Sequence, residues 1–184
     1  MNLVNQFLVA TPQLREPLFL RGVIYICQHD KNGTMGIMIN RPTNAKLSEI
    51  FSQLDIDYSL SKHAQDPIYA GGPIHPENGF VLHHPVGKWH STIPITKNLA
   101  ITTSKDVLQA IAKNEGPTHC IVTLGYTGWE KGQVEKGLER NDWFVVPAKE
   151  SIIFETSPDK RWQEAIKLMG VTDISKLSSF SGHA

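Results

Sequence analysis

The side chains best suited to chemistry in this sequence are scattered along it. His83, His84 and His90 are close enough in number to suggest metal ligation. Adjacent residues on a strand point to opposite faces, so His83 and His84 do not readily share one ion, and no Cys or carboxylate stands at a recognisable ligand spacing. No metal site is therefore read, and no cofactor is identified. His83 has the reference pKa of an acid/base catalyst, but no nucleophile is paired with it. Cys27 and Cys120 lie inside apolar runs and lack the cationic or His-Asn context of a reactive thiolate. Buried, reduced thiols in a reducing compartment are expected.

Three backbone motifs offer ligand contacts instead. Arg41, in Asn40-Arg41-Pro42, closes a strand where a guanidinium can hold a carboxylate or phosphate bidentately, or simply pair structurally. Gly71-Gly72-Pro73 lets backbone amides approach an anion, yet it lacks the lysine and following helix of a P-loop, which favours a tight structural turn. The run 125–135 reads as an aromatic, glycine-rich loop between a buried strand and a helix, a common ligand position. Gly125 and Gly128 would shape it, Tyr126 and Trp129 could stack on a planar ligand, and Gln133 and Glu135 offer polar contacts. Equally, both aromatics could cover a sheet edge, with the glycines permitting a sharp turn.

The elements that must position these residues begin with an apolar strand over 6–11, stopped by Pro12. The run 22–28 is rich in β-branched and aromatic residues, Asn32-Gly33 supplies turn chemistry, and a strand over 34–40 completes a predicted hairpin. Leu47, Ile50, Phe51 and Leu54 recur at helical spacing, and a polar, loop-like stretch follows over 55–66. Strands are expected at 68–70, 79–83, 91–95 and 99–103. Ser104 then caps a helix with Val107, Leu108 and Ile111 inward, ended by Gly116-Pro117. The remaining expectations are a central strand over 120–124, a helix over 133–140, strands at 144–146 and 152–154, and a loop over 171–184. Between those last two, a final helix has Ser157 as N-cap, Pro158 next, and Trp162, Ala165, Ile166 and Met169 on one face.

Neither a repeat nor a linker divides the 184 residues, which read as one domain over 1–184. The order of elements predicts an α+β fold, a twisted, mostly antiparallel sheet flanked by helices. The 18 basic and 18 acidic side chains balance, which argues against a global field for nucleic acid or an anionic membrane. Residues 1–10 carry no positive charge before their apolar run, unlike a secretory signal, and no stretch approaches the ~20 apolar residues of a membrane helix. A cytoplasmic location is expected.

Several segments in order resemble the bacterial AlgH/YqgE family. They are Asn5-Gln6-Phe7-Leu8-Val9-Ala10-Thr11-Pro12; the hairpin end Asn32-Gly33-Thr34-Met35-Gly36-Ile37-Met38-Ile39-Asn40-Arg41-Pro42; the Gly71-Gly72-Pro73 turn; Gly79-Phe80-Val81-Leu82-His83; the run from Leu124-Gly125-Tyr126 through Gly128-Trp129 to Gln133-Val134-Glu135; and Gly182-His183-Ala184. Thr34 and Val134 depart slightly from the pattern, where Ala and Leu are expected. The resemblance implies a bifurcated sheet curled into a barrel-like core. It implies no reaction, since members are often labelled transcriptional regulators from an influence on exopolysaccharide production that carries no mechanism.

Three functions follow as expectations. The first is a non-enzymatic regulatory or adaptor protein that binds a small-molecule ligand or a protein partner through the 125–135 run and the nearby Gly71-Gly72-Pro73 turn. A small-molecule hydrolase or transferase using His83 with Arg41 or Glu135 is the alternative. A DNA-binding regulator ranks third: the helices over 104–115 and 133–140 are separated by a strand and a glycine-rich stretch, not by the short turn of a helix-turn-helix.

Overall fold

Short β-branched runs broken by Gly and Pro build strands in the first hundred residues, and helices enter between them where apolar residues recur every three or four positions. The computed structural model describes residues 1–170. In chain order the elements are β1 (Gln6–Ala10), β2 (Val23–Asp30), β3 (Gly33–Met38), β4 (Pro42–Lys46), α1 (Leu47–Gln53), β5 (Pro67–Ala70), β6 (Ile74–His84), β7 (Thr92–Pro94) and β8 (Ala100–Thr102). There follow α2 (Lys105–Ala112), β9 (His119–Glu130), α3 (Gln133–Glu139), β10 (Trp143–Pro147), α4 (Glu150–Phe154) and α5 (Arg161–Lys167), with 3-10 turns at Pro17–Phe19 and Pro158–Lys160. The α+β class and the mostly antiparallel pairing match expectation. Gly182-His183-Ala184 and the tail predicted as loop lie outside the described residues.

Within the span read as a single domain, two compact units separate. Among the described residues, 1–41 with 127–170 form one, and 42–126 the other. In the first, β10, β1, β2 and β3 lie side by side antiparallel, and β3 pairs with the end of β9, Thr34 opposite Trp129. Leu8, Ala10, Ile24, Ile26, Met38, Val134 and Trp143 make one core cluster. The alternate residues Phe7, Val9 and Tyr25 are buried too, and α5 packs against β1 and β2 with Trp162, Ala165 and Ile166 inaccessible. Both sides of β1 are therefore covered, which explains its unbroken apolar run. The predicted hairpin is present, with Asp30 opposite Gly33 and the Asp30 carboxylate accepting the Asn32 amide at 2.8 Å.

In the second unit β9 begins between two neighbours, antiparallel to β6 and parallel to β5, whose Tyr69 and Ala70 lie opposite Thr123 and Leu124. Helices α1 and α2 cover this sheet through Leu47, Phe51, Val107 and Ile111, packed on Ile68, Val81 and Val122. Because β9 exchanges β5 for β3 along its length, the sheet forks there.

Three expectations change. Residues 125–130 are not a loop: they continue β9, with Gly128 in register with Met35, because glycine pairs through its backbone as any residue does. Residues 152–154 belong to α4 rather than to a strand, since three apolar residues carry no periodicity to separate the two. The last helix opens as a 3-10 turn at Pro158, and Met169 is 40 % exposed instead of sharing the buried face of Trp162.

Candidate functional site

The second unit holds a cavity of about 450 Å³. Its floor is the sheet: Val81 and Val122 are register partners on β6 and β9, as are Gly79 and Leu124. Ile50, Gln53 and Leu54 come from α1 and the residue that ends it, Lys105 and Leu108 from α2, and Thr102, Thr103 and Ser104 from the segment leading into α2. The missing side chain at Gly79 keeps the floor open: a Cβ there would meet only Leu124 Cδ2, at 4.0 Å.

A bulge in β6 supplies the acidic wall. Ile74 lies opposite Tyr126 and Gly79 opposite Leu124, so six residues of β6 span three of β9 and residues 75–78 arch outward. His75 takes a left-handed backbone with φ +46°, unusual for a non-glycine residue. Its Nδ1 lies 3.2 Å from Glu77 Oε1, and its ring lies 6.1 Å from that of Tyr126. The Glu77 backbone amide and His75 hold the Glu77 carboxyl below the usual carboxylate range. Across the cavity, Ser104 occupies the N-cap of α2 but directs its hydroxyl to Asp106 Oδ1 at 2.5 Å and accepts the Ser91 amide. Lys105 is exposed and forms no ion pair among the described residues.

None of the candidate site residues named from sequence lines this cavity, though several shape its surroundings. Gly71, Gly72 and Gly125 meet at a backbone crossing: a Cβ on Gly71 would lie 2.4 Å from Gly125 O, and one on Gly125 would lie 2.2 Å from Gly72 O. Carbonyl oxygens fill the space that an anion cradle would need. Pro73 leads directly into β6. Tyr126 contacts Phe80 edge-on at 5.8 Å and supports His75.

The other candidates take structural partners. Trp129 packs edge-on against Trp143 at 6.1 Å beside the first unit's core, and Gln133 Oε1 accepts the Glu130 amide at 2.9 Å. Glu135 Oε1 lies 3.6 Å from His29 Nε2, and His29 Nδ1 lies 2.8 Å from Thr34 Oγ1. The Arg41 guanidinium donates to Leu20 O, and burial lowers its pKa. Burial also pushes the Cys27 and Cys120 thiols up to about 12, so both are protonated at neutral pH.

His83 is fully buried, with Nδ1 2.8 Å from Pro85 O and Nε2 2.7 Å from Thr102 Oγ1, itself 2.7 Å from Thr92 Oγ1. A carbonyl can only accept, so Nδ1 carries the proton and Nε2 receives the Thr102 hydroxyl. Burial lowers the His83 pKa, outweighing the opposing contact with Pro85. The unfolded chain then binds the proton more readily. Stability contributed by the neutral imidazole is complete above the unfolded value of about 6.5 and declines as pH falls towards the folded one, by at most about 1.4 kcal/mol per pH unit. Urea unfolding at pH 7.5 and 5.5 is expected to show a larger acid-side loss in the parent than in His83→Asn. Equal losses would contradict a buried neutral His83.

Residues 7–173 match the sequence model of the AlgH-like family. A UPF0301 protein of Methylococcus capsulatus is 45% identical over 181 residues, covering 98% of this chain and 96% of that protein. One from Thioalkalivibrio sulfidiphilus is 45% identical over 183 residues, covering 100% and 97%. The solution structure of the AlgH protein from Pseudomonas aeruginosa superposes with a TM-score of 0.81 at 39% identity, covering 100% of this chain and 97% of that one. A Corynebacterium diphtheriae crystal structure shares the fold, with a TM-score of 0.73 at 19% identity over 97% and 92% of the two chains. The family match over most of its length, joined to these full-length relatives, establishes that the chain belongs to the AlgH-like family.

Proposed function

We propose that this AlgH-like protein is a non-enzymatic regulatory or adaptor protein that acts by binding a small molecule, and that the apolar part of that molecule sits between α1, α2 and the β6–β9 sheet. The observation that carries the reading is the cavity: about 450 Å³ with an apolar floor and a few polar groups at its edge, within the range of about 300–1,000 Å³ typical of ligand sites. The state of the groups considered for catalysis supports it, since both His83 nitrogens are engaged and both thiols are protonated. A cytoplasmic protein suits two unpaired thiols, and no helix among the described residues is long and apolar enough to cross a membrane.

Gly79→Val tests the reading directly. The backbone there is compatible with a side chain and the new Cβ has room, so the fold is expected to keep its stability while the cavity fills. In a thermal-shift screen, compounds with apolar bodies are expected to stabilise the parent, by about 2.7 kcal/mol at 100 times the dissociation constant, and to leave Gly79→Val unmoved. Shifts produced only by nucleotides or sugar phosphates, and equal in both proteins, would overturn it.

A further inference from the structure

Resting on that cavity reading, we infer that the ligand is a hydrophobic α-amino acid, with its ammonium group at Glu77, its carboxylate at Lys105 and its side chain on the floor made by Val81, Val122 and Leu124. Glu77 and Lys105 both line the cavity, yet they do not pair: no nitrogen–oxygen approach within 4 Å joins them. An exposed Lys and Glu that could meet gain little by doing so. Two opposite charges that border one apolar floor without pairing with each other form a template for a molecule that carries both.

The Glu77 side is built rather than incidental. Three residues beyond the two-for-two pairing of a regular ladder arch out of β6 at this point, and a non-glycine residue accepts a left-handed backbone there. Such strain persists where surrounding contacts over-determine it, and it concentrates at ligand sites. Here the His75 ring reaches Glu77 on one side and Tyr126 on the other, restricting the carboxylate without neutralising the opposite wall. Lys105, the first residue of α2, has no competing carboxylate partner among the described residues.

The charge pattern separates this ligand from other amphipaths. A fatty carboxylate would satisfy Lys105 while facing Glu77 with like charge, and an alkylammonium would satisfy Glu77 while facing Lys105. A neutral apolar molecule would leave Lys105 without a counter-charge and Glu77 with only its contact to His75. Only the zwitterion answers the two walls, and its variable group meets the apolar floor.

A matched series around one side chain tests the inference by isothermal titration calorimetry on the intact protein. L-Phenylalanine carries both charges, N-acetyl-L-phenylalanine only the negative one, L-phenylalanine amide only the positive one, and 2-phenylethanol neither. L-Phenylalanine is expected to bind at least tenfold more tightly than any of the others. Glu77→Gln is expected to weaken L-phenylalanine and its amide while sparing the N-acetyl compound. Lys105→Met should weaken L-phenylalanine and the N-acetyl compound while sparing the amide. Both side chains are exposed, so both variants are expected to fold.

If 2-phenylethanol binds the parent but not Gly79→Val, and L-phenylalanine binds no more tightly than it, the zwitterion inference fails and the cavity reading stands. If none of the four compounds binds, both fail. Tight L-phenylalanine binding that neither charge substitution alters would also sink the assignment of the two walls.

Discussion

Gly125→Ala is expected to destabilise the protein far more than Gly132→Ala, although both glycines have nearly the same left-handed backbone, with φ +77° and +79°. Left-handed geometry costs a non-glycine residue about 1–2 kcal/mol, and that term is common to the two variants. The surroundings differ. Nothing lies within 4 Å of a Cβ built on Gly132, whereas one on Gly125 would stand 2.2 Å from Gly72 O and 3.2 Å from Ile74 O. Those are backbone atoms of the crossing between β5, β6 and β9, and they cannot swing away as a side-chain end can. Overpacking of this kind adds about 1–3 kcal/mol or more.

Urea unfolding of the two variants isolates the steric part. An equal loss of stability would mean that the crossing relaxes to admit the methyl group. Because Ile74 begins the bulge that carries Glu77, a Gly125→Ala protein that does fold is also expected to bind L-phenylalanine less tightly, although Gly125 does not line the cavity.

Trp162→Ala is expected to be the most damaging side-chain truncation considered for the first unit. The indole is 4 % exposed, and its Nε1 donates to Ala10 O at 2.9 Å. Removing a buried tryptophan costs about 3–5 kcal/mol through lost burial and the void it leaves. Trp162→Phe keeps most of the apolar surface but strands the Ala10 carbonyl, at about 1–3 kcal/mol. The Arg21 guanidinium, 5.0 Å from the ring centroid, contributes a smaller cation–π attraction, so Arg21→Ala is expected to cost only about 0.5–1 kcal/mol. The ordering Ala, Phe, then Arg21→Ala in urea midpoints is the prediction. A Trp162→Phe variant as stable as the parent would show that Ala10 O finds another donor.

Much of the secondary structure is legible because the relevant forces are local. The β-branched run of β2, the Asn32-Gly33 turn and the spacing of Leu47, Ile50, Phe51 and Leu54 each state a backbone preference or a buried face within a few residues. Family membership is legible for a related reason: an ordered series of motifs survives in the chain whatever their contacts. Where local signals mislead, a distant partner decides. The glycines from 125 to 128 resemble loop chemistry, but Gly125 is required by Gly72 O across the crossing, and Gly128 pairs with Met35 in the ladder. His83 looks available until strand pairing brings Thr102 to Nε2, with Pro85 O two residues on taking Nδ1.

By itself, then, the sequence determined most of the strands and helices, the family and the charge balance, all of which depend on residue types and short spacings. Tertiary structure alone decided the cavity. Its walls come from residues 50 to 124, and its opening depends on one absent side chain, at Gly79. Its chemistry depends on Glu77 and Lys105 facing the same space without touching. Periodicity reports which face of an element is buried, but a cavity is the space that several such faces fail to fill, and that is set only when distant elements pack together.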